Sequence, residues 1–250
     1  MMTMLGSETN RKLRDMGAAC LIGAIEAQDD ETCMGMTLAE RMQMAVDEAH
    51  SAFVEGKVGQ LIKRAHLRYP NADVRRIDFS EERNLDRVRT TELATCGYVE
   101  RGSNVVLQGF TGSGKSFLAC ALAKEACKRR MRTCYIRIPD LEEEWRASKL
   151  RPGASRKLIR KYGSFQVLVL DEWLLDKPDD DFRSMIMELM ELRSDGKTTI
   201  FCTQYQKKDW HSRLRGGVHA DAIMDRIVHN AIWLESGEVN MRAKLSKAEG

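Results

Sequence analysis

Residues 104–116 read Asn104-Val105-Val106-Leu107-Gln108-Gly109-Phe110-Thr111-Gly112-Ser113-Gly114-Lys115-Ser116, an apolar run that breaks into glycines and ends on a lysine and a serine. A strand, then Gly-x-x-x-x-Gly-Lys-Ser, then a helix is the setting in which this pattern carries chemistry. The glycines let backbone N–H groups turn inward around phosphate oxygens, and a helix beginning at the lysine aims the positive end of its dipole at the same charge. The expected nucleotide-contacting set is Gly109, Phe110, Thr111, Gly112, Ser113, Gly114, Lys115, Ser116 and Phe117. Lys115 is expected to reach the β- and γ-phosphates of ATP, and the Ser116 hydroxyl to ligate Mg2+. Leu118, Ala119, Leu122, Ala123 and Ala126 give the following helix its apolar face, and Lys128, Arg129 and Arg130 suit its negative end.

Downstream, short β-rich runs at 133–138, 166–170, 198–202 and 231–234 alternate with helical patterns. Together with the strand at 104–108 they predict an α/β fold, a central parallel sheet flanked by helices on both faces, with ligands at the carboxyl ends of its strands. The run Val167-Leu168-Val169-Leu170 ends in Asp171-Glu172, which reads as a Walker B element. Asp171 is placed to hold the Mg2+ shell, and Glu172 to orient and deprotonate an attacking water. A second acid favours hydrolysis over transfer to a substrate hydroxyl, which leaves a small-molecule P-loop kinase as the weaker alternative. Gln204, after the strand at 198–202, takes the position of a polar group that senses the γ-phosphate from a neighbouring strand.

Upstream the text is helical. Residues 1–36 carry six methionines and no sustained amphipathic pattern, and are expected to be a loosely structured extension, with Met34 or Met36 as alternative starts. From Thr37 a helix is expected, opened by a Thr37/Glu40 capping box and carried by Leu38, Met42, Ala45 and Ala49, with an interruption at Gly56 and Gly59. Residues 37–76 are therefore assigned to a small helical N-terminal domain with its linker, and 77–250 to the nucleotide-binding domain. The longest apolar stretch near the start, at 16–25, is too short to span a bilayer and is followed by acids, so the expected location is cytoplasmic, with no membrane partner. Seven cysteines with no Cys-x-x-Cys pair and no histidine cluster point to neither zinc nor a disulfide framework.

The net charge of +3 is too small to argue for a polyanionic partner by itself, but the distribution is uneven. Between Trp145 and Lys161 stand Arg146, Lys149, Arg151, Arg156, Lys157, Arg160 and Lys161, without an acid. Helical spacing puts Arg156 and Arg160 on one stripe and Lys157 and Lys161 on the next. On composition alone this is equally a track for a phosphate backbone and a solvated helix face.

With residues 109–116, Leu170-Asp171-Glu172, Asp225-Arg226-Ile227-Val228-His229 and Met241-Arg242 in view, the chain resembles the IstB-like transposition helper ATPases. These are relatives of the DnaC helicase loaders within the AAA+ initiator group. The resemblance extends over residues 37–247, and the Asp-Arg-Ile-Val-His element is its more specific part. It implies an AAA+ domain that binds ATP and Mg2+, self-associates into an ATP-dependent oligomer on duplex DNA largely without regard to sequence, and recruits a cognate transposase through the N-terminal domain. It also implies that Arg226 is an arginine finger for the neighbouring subunit's ATP, that Arg242 is a sensor II arginine for its own, and that the basic segment contacts DNA. The sequence departs from the family at Gln204, where an asparagine is usual, and in the stretch before Thr37. A helicase loader built on the same engine is the alternative.

Overall fold

The computed structural model describes residues 5–29, 31, 33–237, 239–241 and 243–244, and the chain divides into two compact units, Met1–Gln60 and Leu61–Gly250. The first holds α1 (Ser7–Asp15), α2 (Cys20–Glu26) and most of α3 (Leu38–Arg64). Residues 7–26, expected to be loosely structured, are thus largely helical. Ala24 of α2 is buried with Ala45 and Ala49 of α3, and Cys20, Leu21 and Ile25 pack beside them. Alanines let helices approach closely but leave a weak apolar stripe in sequence, which hides the contact. The capping box is present: the Thr37 N–H donates to Glu40 Oε2 at 2.7 Å, and the Glu40 N–H to Thr37 Oγ1 at 3.3 Å. Gly56 and Gly59 do not interrupt α3. Each glycine costs a helix interior only about 1 kcal/mol relative to alanine, which a helix of 27 residues absorbs.

The second unit opens with the last turn of α3 and two 3₁₀ turns, Val74–Arg76 and Glu81–Arg83, followed by α4 (Arg87–Ala94) and α5 (Gly97–Glu100). It then alternates: β1 (Asn104–Gln108), α6 (Lys115–Lys128), β2 (Thr133–Arg137), α7 (Ile138–Ser148), α8 (Ala154–Gly163), β3 (Val167–Asp171) and α9 (Asp180–Arg193). The remaining elements are β4 (Thr198–Thr203), α10 (Lys207–Arg213), α11 (Gly217–Val228) and β5 (Ala231–Glu235). The strands form one parallel sheet in the order β2-β3-β4-β1-β5, as the alternating pattern predicts.

Central strands of such a sheet are covered on both faces, which is why they read as unbroken apolar runs. Val105, Leu107, Val167, Val169, Ile200 and Cys202 face a core shared with Leu118, Leu122 and Ala126 of α6. Val106, Leu168, Leu170 and Phe201 face the opposite core, with Ile159, Ile186, Leu189 and Ile223 from α8, α9 and α11. Arg193, at the end of α9, is buried and makes no ion pair with a carboxylate among the described residues. Its guanidinium donates to Tyr162 O at 3.0 Å, Phe165 O at 2.8 Å and Thr199 Oγ1 at 2.9 Å, and also to Thr198 O. Burial pulls its pKa down to about 9.

This topology positions the site. β4 lies between β1 and β3, so at the carboxyl edge the loop after β1, Gln204 after β4 and Asp171-Glu172 at the end of β3 stand in a row. No helix among the described residues is long and apolar enough to cross a membrane.

Candidate functional site

The loop after β1 is held from below. The Gly109 N–H donates to Thr203 O at 3.1 Å, and the fully buried hydroxyls of Ser113 and Ser236 meet at 2.6 Å. Gly112 and Gly114 have φ of +92° and +91°, where a side chain is strained, and a Cβ on Gly112 would lie 2.5 Å from Asn240 Oδ1. α6 begins at Lys115, whose ammonium donates to Gly109 O at 2.7 Å and Phe110 O at 2.8 Å. Of the residues expected to touch nucleotide, Thr111, Gly112, Gly114, Lys115, Ser116 and Phe117 line an open cleft of about 810 Å³. Gly109, Phe110 and Ser113 do not line it: Phe110 is 42% exposed, while Gly109 and Ser113 serve the loop's foundation.

Asp171, Glu172 and Gln204 line the same cleft. Asp171 is buried, its Oδ2 accepting from the Tyr135 hydroxyl at 2.5 Å and its Oδ1 from the Glu172 N–H at 2.8 Å. Burial first, and the Asp171 charge second, push the Tyr135 phenol far above its ordinary range, so it stays a proton donor. Glu172 sits at φ +60°, a left-handed conformation that costs a side-chain-bearing residue about 1–2 kcal/mol. Trp173, next in sequence, holds the turn in place: it is buried, its ring 4.8 Å from Phe201 and 5.8 Å from Trp210, and its backbone N–H donates to Cys202 O at 2.8 Å. The Glu172 carboxylate meets Arg137 Nε at 3.3 Å and Arg68 Nη1 at 3.6 Å. Gln204 Oε1 accepts from Thr111 Oγ1 at 3.0 Å, joining the β4 end to the phosphate loop.

The far wall of the cleft comes from residues that the motifs did not single out. Arg83 is buried and donates to Ser113 O, Asp78 O and Ser236 O at 3.2, 2.9 and 3.2 Å, tying the phosphate loop to the segments before α4 and after β5. The Met241 N–H donates to Gly112 O at 2.9 Å, and Lys244 bridges to Asp78 Oδ2 at 2.8 Å. Tyr135, Arg68, Arg83 and Arg137 carry no local signal, because their roles depend on strand order and on contacts distant in sequence. Hard oxygen donors suit Mg2+, and Ser116 and Asp171 supply them on the cleft wall. Among the described residues no cluster of three or more His, Cys, Asp or Glu could hold a metal ion. A magnesium ion here would therefore also draw on phosphate oxygens and water.

Arg226 stands elsewhere, on α11, outside the residues lining the cleft. Its guanidinium pairs with Glu191 of α9 and donates to Ala222 O at 2.9 Å, and Asn104 Nδ2 anchors the helix end through Arg226 O and Ile227 O. Arg242 lies outside the described residues. The basic segment is less uniform than its sequence: Arg146 pairs with Glu142 at 2.5 Å, Lys149 with Asp181 and Lys161 with Glu144 at 3.1 Å. Arg151, Arg156, Lys157 and Arg160 are exposed and make no ion pair among the described residues, and the last three share α8.

The family model described as IstB-like ATP binding protein matches residues 9–249. The chain is 31% identical over 250 residues to y4pL of Sinorhizobium fredii, named among insertion sequence ATP-binding proteins, covering 98% of this chain and 100% of that one. Among solved structures it is similar to DnaI, with a TM-score of 0.57 and 21% identity over 73% of this chain and 93% of that chain. It is also similar to the DnaC helicase loader, with a TM-score of 0.56 and 24% identity over 67% of this chain and 98% of that chain.

Proposed function

The chain belongs to the IstB-like ATP-binding proteins, and from that membership we propose that it is a cytoplasmic, Mg2+-dependent ATPase that assembles on duplex DNA, hydrolyses ATP between neighbouring copies and assists a cognate transposase in target selection and insertion. The observation that carries the reading is the row of Lys115, Gln204, Asp171 and Glu172 along one sheet edge, with Arg226 outside it on a separate helix. Such a cleft gathers the groups for binding and for water but takes its last cation from elsewhere.

In this reading Lys115 exchanges its loop carbonyls for the β- and γ-phosphates, and Ser116 and Asp171 would hold a magnesium ion, which would supply neutralisation of phosphate charge. Tyr135 fixes one oxygen of Asp171. Glu172 orients the attacking water and takes its proton, while Gln204 bonds to water or γ-phosphate from the next strand end. Arg226 leaves Glu191 to reach the neighbouring copy's ATP, and Arg242 acts on its own. The unpaired cations Arg151, Arg156, Lys157 and Arg160 contact DNA phosphates, with Arg146, Lys149 and Lys161 contributing once their acids are displaced. Phosphate contacts position without reading bases, so target choice follows the ease of deforming the duplex. The helical segment 37–76 recruits the transposase.

Steady-state ATP hydrolysis with and without duplex DNA, at low and moderate salt and against Lys115→Ala, tests this. Stimulation by DNA that fades with salt is expected, and hydrolysis indifferent to DNA contradicts it. The fold shared with the DnaC helicase loader favours helicase loading as the second reading, distinguished by copurification of a hexameric helicase in place of a transposase.

A further inference from the structure

The acids at the end of β3 are gripped from a side that the phosphate loop does not supply. Arg68 follows Arg64, the last residue of α3, by four positions. Its segment is fastened to β2 by the Tyr135 N–H, which donates to Ala65 O at 2.8 Å. From there Arg68 Nη1 lies 3.6 Å from Glu172 Oε1 and 4.0 Å from Asp171 Oδ2. Arg137 Nε lies 3.3 Å from the other Glu172 oxygen. Each oxygen of that carboxylate therefore faces a guanidinium. The Arg68 group is also held over the Tyr69 ring, 5.7 Å from its centroid, and Tyr69 packs against Phe117 at 6.1 Å.

A carboxylate flanked on both oxygens by guanidinium groups is a poor partner for a water molecule, because those groups crowd the approaches that the water would take. The two arginines differ in where they are rooted. Arg137 ends a central-sheet strand, whereas Arg68 hangs on the short connection after α3, so a pull along that helix reaches Arg68 within four residues. We propose that Arg68 is a positioning residue that restrains Glu172, so that withdrawal of its guanidinium sets the rate of unstimulated ATP hydrolysis. This rests on the ATPase reading above.

Two measurements on the full chain separate the restraint from that reading. Carbodiimide labelling of Glu172 in the absence of nucleotide, mapped by mass spectrometry, reports how firmly the carboxylate is held, and steady-state kinetics report its use. Arg68→Ala is expected to raise Glu172 labelling and kcat by about fivefold each with KM for ATP unchanged, and Arg68→Lys, which keeps the charge without the planar fork, to fall between. Arg68→Gln, closer in shape, repeats the test if the alanine variant loses its fold by circular dichroism. Labelling equal to that of the unaltered chain, or a kcat that stays the same or falls in an active protein, overturns the restraint. Raised labelling with no hydrolysis in any form upholds the restraint and sinks the ATPase reading.

Discussion

Gly109→Ala puts a single methyl group where the phosphate loop meets the end of the sheet. The added Cβ would stand 2.2 Å from Ser236 Oγ and 2.8 Å from Ser113 Oγ, two buried hydroxyls that bond to each other at 2.6 Å. The backbone there has φ +156°, which glycine alone adopts without strain. Ser236 is also tied by its N–H to Gln108 O at 2.8 Å, so it cannot retreat without loosening the edge of the sheet. Breaking a buried hydroxyl pair costs about 1–3 kcal/mol, and forcing an alanine into a glycine conformation about 1–3 kcal/mol more. Together they come to about 2–6 kcal/mol. With a urea slope of about 2–3 kcal/mol/M, the unfolding midpoint should fall by about 1–3 M. Urea unfolding followed by circular dichroism measures this, and binding of a fluorescent ATP analogue should weaken alongside. Ser236→Ala added to Gly109→Ala removes the oxygen that is struck and should recover part of the loss. A midpoint shift under about 0.5 M, or no relief from the second change, would refute the reasoning.

Two further outcomes follow from buried and bridged charges. The Lys244 ammonium, and next the Ser80 N–H, hold Asp78 at about 2 against an ordinary 3.8. A carboxylate depressed in the folded state stabilises above its unfolded pKa and loses that contribution as pH falls from about 4 through about 2. Because both partners are partly solvated, the effect should be no more than about 1 kcal/mol, and Lys244→Ala should flatten this part of the stability profile in acid titrations. Arg193→Met removes a buried cation but orphans three carbonyls and a hydroxyl, and should lower stability by about 2–4 kcal/mol in urea unfolding. A neutral result would mean that shedding the desolvated charge compensates in full.

The sheet was legible because its strands are covered on both faces and read as apolar runs, so that Asn104–Gln108 and Val167–Asp171 stand out without alignment. The phosphate loop and the paired acids were legible for a related reason: their chemistry is packed into eight and two consecutive residues. Features that depend on distant contacts were not. Tyr135 looks like any strand aromatic until β2 is paired with β3, and Arg68 like any helix-end cation until its segment lies along β2. The seven cations of 145–161 suggest an unbroken basic track only because Glu142, Glu144 and Asp181, which pair with three of them, lie outside that window. Helical structure in residues 7–26 was missed because α1 buries no side chain and the fully buried part of the contact between α2 and α3 is made by alanines, which leave only a weak apolar stripe.

The central claim is that the cleft of one copy is completed by Arg226 of another. Mixing two inactive variants tests it: Lys115→Ala lacks a working phosphate site but keeps its arginine, and Arg226→Ala keeps the site but lacks the arginine. In a one-to-one mixture on duplex DNA, about a quarter of random head-to-tail interfaces pair an intact cleft with an intact Arg226. ATP hydrolysis should therefore return to about a quarter of the level of the unaltered chain. A mixture as inactive as its components, or an Arg226→Ala protein that hydrolyses ATP normally by itself, would contradict the claim.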